Sequence, residues 1–155
     1  MKASGLILGL LLLLQLPVLA GDESDAILGI WRTADDKSQV QIFKTNNLYA
    51  GKIISLKDPN WPASDTEGGA GKPKNDRRNP DPKLRSRPIV GLQLMSGFAF
   101  ARKATWDSGR VYDPESGKTY KGKLYLTSTN QLELRGYVGI PLFGRTEVWR
   151  RAGTT

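Results

Sequence analysis

QVQIFKTNNLYAGKIISLK, residues 39–57, carries the reading on which the fold turns. In its first seven residues Val40 and Ile42 fall on one face and Gln39, Gln41 and Phe43 on the other, the period of a half-buried strand. Asn46-Asn47 is a tight turn, and residues 48–57 follow as a strand running back beside the first. Upstream, the apolar, aromatic segment 27–33 (ILGIWRT) reads as another strand, turned by Asp35-Asp36-Lys37. Three antiparallel neighbours result. Downstream, residues 89–101 (IVGLQLMSGFAFA) fit either a buried strand or a helical turn followed by a strand, with strand favoured in the later part. Residues 105–113 come next, and Pro114-Glu115-Ser116-Gly117 has the composition of a hairpin turn. Residues 119–128 alternate again, Thr129-Asn130 turns the chain into 131–138, and a Gly139-Ile140-Pro141 loop leads to a last strand at 145–151. Eight strands at hairpin spacing, without a long helix, give an all-β chain: an eight-stranded antiparallel up-and-down barrel, or else a sandwich. A barrel of that size holds its own side chains or one small ligand.

The N-terminal residues set the compartment. Met1-Lys2 is positive, residues 6–14 are apolar, and Val18-Leu19-Ala20 has the small-residue character of a cleavage site, so residues 1–20 read as a secretory signal peptide. Gln15 and Pro17 interrupt the apolar run and no basic flank stops it, so a retained membrane span is not expected. The expected product starts near Gly21, is soluble, and resides in the periplasm or outside the cell. Its residues 21–155, about 135, suit one domain with one core. With no cysteine there is neither a lipid attachment point nor a disulfide, and buried apolar surface must carry the stability.

Composition removes whole classes of function. Zero His and zero Cys exclude Ser/His/Asp and Cys/His nucleophiles and imidazole or thiolate zinc sites. What remains is acid/base chemistry on carboxylate, Lys or Tyr, or an oxygen-ligated Ca²⁺ or Mg²⁺; no Gly-rich phosphate loop or dinucleotide fingerprint is present, and neither a cofactor nor a metal-ligand set is singled out. Without Lys2 the chain carries 22 basic against 15 acidic side chains. Export makes nucleic acid an improbable partner for that charge, and an anionic envelope component the more natural one.

The basic excess is local. Residues 58–88 contain Pro59, Pro62, Pro73, Pro80, Pro82 and Pro88, a Gly68-Gly69-Ala70-Gly71 run and no strand or helix pattern. A loop this long inside a compact domain, here between the third and fourth strands, is disordered or functional. Its Gly-rich front reads as flexible, its Pro- and Arg-rich rear as extended and pinned. Asp76, Asn79, Asp81, Arg85 and Arg87 combine carboxylates with guanidiniums there. Over a barrel mouth, paired arginines would clamp a carboxylate or phosphate; alternatively Asp81 and the two arginines pin the loop by ion pairs. Trp106, Tyr112 and Tyr120 gather around one hairpin with Asp107 and Asp113, offering aromatic faces to a ligand, although Asp at turns usually caps its own backbone. Arg135 and Tyr137 share a face of the seventh strand; were that face to line the barrel, Arg135 would need a partner such as Asp81 or Asp113. Trp61, between Asn60 and Pro62, is either a lid or an anchor, whereas Trp31 and Trp149 read as core and floor.

Gly29-Ile30-Trp31 at the first strand and Arg150-Arg151 at the last resemble the lipocalin arrangement, in which an indole plugs the barrel floor under a late arginine. GIWRT at 29–33, NPD at 79–81, LRSRPIVGL at 84–92, WDSGRVYDP at 106–114, GKTY at 117–120, RGY at 135–137, GRT at 144–146 and WRR at 149–151 resemble, together, the bacterial exported family catalogued as domain of unknown function 2147. That resemblance implies a lipocalin-like barrel and names no ligand.

Three functions follow as expectations. The first is an exported binding protein for a small amphipathic or apolar ligand, its anionic end held by the basic loop. The second is an envelope interaction protein that binds an anionic surface through residues 72–87. The third is a glycan-acting enzyme using carboxylates among Asp76, Asp81, Asp107 and Asp113.

Overall fold

A computed structural model describes residues 22–153; the expected signal segment 1–20 lies outside the described residues. The strands are β1 (Gly29–Arg32), β2 (Ser38–Thr45), β3 (Leu48–Leu56), β4 (Gln93–Arg102), β5 (Thr105–Asp113), β6 (Lys118–Ser128), β7 (Gln131–Tyr137) and β8 (Arg145–Arg151). Each pairs antiparallel with the next, and β8 returns to β1 through Trp31↔Arg151 and Arg32↔Arg150, so the sheet closes into a barrel and the sandwich is ruled out. Alternation works as expected: Val40 and Ile42 on β2, and Leu132 and Leu134 on β7, are buried, while their chain neighbours are not. Asn46 and Asn47 both take left-handed backbone (φ 49° and 60°), the signature of a two-residue primed turn that matches strand twist.

One segment differs from its expected form, and another takes the favoured one of its two readings. Ile27 and Leu28 precede β1 instead of extending it, because the Ile27 carbonyl accepts the Trp31 indole N–H at 2.9 Å and the Leu28 amide bonds back to Asp25. Residues 89–92 form a turn, closed by the Leu92 amide on the Ile89 carbonyl (3.1 Å), and the strand begins only at Gln93.

Strand alternation sends the segment 22–28 and the hairpins at 46–47, 103–104 and 129–130 to one end of the barrel. The connections 33–37, 57–92, 114–117 and 138–144 lie at the other. The first end is stoppered. Its 3₁₀ turn Glu23–Asp25 is tied to the wall by Tyr49 Oη, which donates to Asp25 Oδ1 (2.6 Å) and lies 2.9 Å from the Ser24 hydroxyl, and by the Trp106 indole, which donates to the Ser24 carbonyl (3.0 Å). The Arg151 guanidinium lies 4.2 Å from the Trp31 ring centre and donates to the carbonyls of Ala26, Leu28 and Thr129. It thereby joins the last strand to the stopper.

Above this floor the interior is filled by the protein itself. Trp31, Trp106, Trp149, Tyr49, Phe98 and Met95 have essentially no exposure. Trp106 stands edge-on to both Tyr49 (6.2 Å) and Phe100 (5.4 Å). Phe98 lies over the two neighbouring strands by occupying the space where Gly109 on β5 and Gly122 on β6 lack side chains. Each such burial stabilises the fold by about 2–3 kcal/mol.

Candidate functional site

Among the described residues one end is stoppered, and the long connection 57–92 lies at the opposite rim. It has its own order. Bridges Asn60↔Pro73 and Asn75↔Pro88 narrow it twice, and the Ile89 amide bonds the Lys74 carbonyl (3.0 Å). Its Gly-rich front is packed: Trp61 fills the position a Gly69 side chain would need, and Asp65 accepts from the amides of Gly69 (2.8 Å) and Glu67 (3.2 Å). Gly117 (φ 71°) has no room for a Cβ because the Arg78 carbonyl presses on it, which seats the connection on the β5–β6 turn.

Within the rear half, Asp76 is fully buried. Its Oδ1 accepts from Tyr112 Oη (2.6 Å), and its Oδ2 accepts from Asn79 Nδ2 (2.8 Å) and from Nε and Nη2 of Arg87 (both 2.8 Å). A buried carboxylate is tolerable only with this degree of pairing. Burial, followed by the hydrogen bond to Asp76, pushes the Tyr112 hydroxyl up to about 12. Arg85 Nε donates to the Asn79 carbonyl (2.8 Å), and the Asn75 side chain donates to the Arg85 carbonyl (2.7 Å). Asp81 accepts from the Lys83 amide (2.9 Å) and so caps the 3₁₀ turn Pro82–Leu84. The cluster of Asp76, Asn79, Arg85 and Arg87 thus folds the loop onto Tyr112. The pinning reading fits, with Asp76 in the part expected of Asp81.

The remaining singled-out residues scatter. Trp106 belongs to the floor. Tyr120 pairs with Val111 across β5–β6 and its Cβ faces Gly136. Arg135 and Tyr137 alternate with the core residues Leu132 and Leu134 and therefore stand on the outer face, so Arg135 does not line the barrel; Tyr137 is nonetheless buried there, its Cβ lying against Gly144. Its acceptors are the carbonyls of Pro141 (2.7 Å) and Leu142 (3.2 Å) and the Thr146 hydroxyl (2.7 Å), not Asp81 or Asp113. Asp107 is bound to Lys123 (2.8 Å), whose hydrogen bond holds that carboxyl below its ordinary range. Asp113 accepts from the Glu115 amide (2.9 Å) and the Ser116 hydroxyl. Every carboxylate considered for glycan chemistry thus has a structural partner.

A cavity of about 530 Å³ opens between the long connection and the barrel rim. Ile53, Leu56, Ile89 and Leu94 give it apolar surface; Asp35, Lys37, Lys74, Arg77, Asp113, Glu115 and Glu147 give it charge. Trp61 is both anchor and wall: its indole donates to Asn75 Oδ1 (3.0 Å), and the Arg77 guanidinium stacks on its ring at 3.4 Å, with Lys74 Nζ at 5.7 Å. Arg77 is held by Asp65 (2.8 Å), and that hydrogen bond keeps the Asp65 carboxyl below its ordinary range. Sequence reading passed over most of this lining. Glu147 carried a usable signal, since it stands two residues from the buried Trp149 and shares its inward face. Arg77 and Lys74 were visible only as two of the basic residues of 72–87, the stretch expected to meet an anion, and nothing local set them apart from their neighbours.

The profile of a family described as "Uncharacterized protein conserved in bacteria (DUF2147)" matches residues 29–151. A solved structure, protein HP1028 from Helicobacter pylori, described as belonging to the lipocalin family, is similar with a TM-score of 0.68 and 29% identity over 81% of this chain and 82% of that one. No curated protein matches.

Proposed function

The chain belongs to the bacterial family DUF2147, and from that premise and its lipocalin-like barrel we propose that it is an exported, soluble binding protein for a small amphipathic or apolar ligand. The carrying observation is the cavity at the rim: about 530 Å³, lined by both apolar and charged side chains, over an interior that its own side chains fill. That volume lies within the usual range for small-molecule sites, about 300–1,000 Å³. The ligand's apolar part rests against Ile53, Leu56 and Leu94 beside Trp61, and an anionic end meets Lys74, which stands outside every ion pair formed among the described residues. Arg85 and Arg87 hold the loop and bear on the ligand only through it.

Because Trp61 walls the cavity, its fluorescence reports occupancy. Titration with decanoate is expected to give a saturable change that Trp61→Phe removes. Lys74→Ala should weaken decanoate about fivefold, the worth of one partly exposed ion pair, while leaving decanol unchanged. Native mass spectra after incubation with envelope extract should show a retained small molecule. Bare-chain spectra together with a linear, unsaturable titration would overturn the binding role. For the compartment, N-terminal sequencing of protein from the envelope fraction should begin near Gly21.

A further inference from the structure

The connection between β7 and β8 is built unlike the rest of the surface. Val138, Ile140, Leu142 and Phe143 lie within six residues and are 73%, 54%, 74% and 78% exposed. Soluble proteins rarely leave such a cluster uncovered without a use for it. Nor is it slack: the Arg135 guanidinium grips the carbonyls of Pro141 and Leu142 from below. At its base Gly144 lies so close to β7 that an added Cβ would meet the Gly136 carbonyl at 2.6 Å. The side chains are therefore presented outward on a fixed tip.

Cations stand on the strands beside that tip. Arg110 pairs across the sheet with Lys121, and Lys121 with Tyr137, the last residue before the tip; Arg145 follows it at the start of β8. None of the three takes part in an ion pair among the described residues. We propose that this tip is an interfacial anchor that inserts Leu142 and Phe143 into an anionic lipid bilayer surface while Arg110, Lys121 and Arg145 meet the headgroup phosphates. A convex tip of seven residues offers less than the roughly 800 Å² per partner that a specific protein interface needs. A bilayer asks only for apolar atoms at the acyl boundary and positive charge beside them. The tip shares its rim with the cavity, since Glu147, three residues beyond Gly144, lines that cavity. Docking there would bring the mouth to the lipid. The anchor itself does not depend on the cavity being a binding site.

The absence of cysteine makes the test direct, because one introduced thiol can be labelled alone. Phe143→Cys carrying an environment-sensitive nitrobenzoxadiazole probe is mixed with vesicles of phosphatidylglycerol and phosphatidylethanolamine, with Ser116→Cys on the same rim as the control. The expected result is a several-fold rise and blue shift of emission at position 143 only, reduced by high salt and small with phosphatidylcholine vesicles. In co-sedimentation, Leu142→Ser with Phe143→Ser should lower the bound fraction about tenfold with no change in circular dichroism. No emission change at 143, an equal change at 116, or equal binding to phosphatidylcholine would overturn the proposal. So would a protein that self-associates through the tip, seen as a dimer that the double serine variant converts to monomer without vesicle binding by either.

Discussion

Tyr112 shows how much one side chain holds at the rim. Its hydroxyl donates to a fully buried carboxylate and lies 3.2 Å from Asn79, so Tyr112→Phe removes a hydrogen bond to a charged acceptor. That substitution is expected to cost about 1.5–3 kcal/mol in urea denaturation. It should also change the alkaline limb. The folded state keeps the Tyr112 proton to about 12, beyond the ordinary tyrosine value of about 10, so this stabilisation is complete below about pH 10 and is lost as pH rises through 12. In an ultraviolet titration one of the five tyrosines should ionise last, and the phenylalanine variant should lack that step and its alkaline stability loss. Asp76, Asn79 and Arg87 were legible as a polar cluster in a patternless loop. Tyr112 was singled out for a different reason, its hairpin neighbours, because nothing local connects it to a partner 36 residues away.

Among the elements, β5 and β6 make the sharpest case. Gly109 and Gly122 face each other across the two strands, and Phe98 from β4 fills the space they leave. A Gly122 side chain would meet Phe98 Cζ at 2.7 Å and Val111 Cγ2 at 2.9 Å, so Gly122→Ala should destabilise by about 1–3 kcal/mol despite alanine's lower backbone entropy in the unfolded chain. Combining it with Phe98→Leu should recover part of that loss; a neutral single substitution would show that the ring has room to move. The strands themselves were readable within a residue or two at most ends, since alternation and turn residues are local signals. β1 began later than expected for a tertiary reason, since Ile27 is drawn under the floor by Trp31; at 89–101, where two readings stood open, the long connection holds Ile89 in a turn and leaves the strand to the later part.

At the scale of the whole molecule, charge pairs join distant parts of the barrel and make its stability depend on acid. Lys44 and then Tyr49 lower the Asp25 carboxyl, Arg77 and the Gly69 amide lower Asp65, and Lys123 lowers Asp107. A lowered folded value means the stabilisation is present above the ordinary carboxylate range, near 4, and is lost as pH falls through the folded values. The thermal midpoint is expected to stay level from about pH 5 upward and to fall progressively below about pH 4, with a shallower fall in Asp65→Asn. A midpoint insensitive to acid would remove these pairs from the account. The sequence by itself determined an all-β chain of eight strands, because side-chain alternation and hairpin turns are written within a few residues of each other. Tertiary structure alone decided which end is stoppered, that most of the loop's arginines bind the loop itself, and where the cavity lies. Those outcomes rest on contacts such as Arg151 with Leu28, 123 residues apart, which exist only once the sheet has closed.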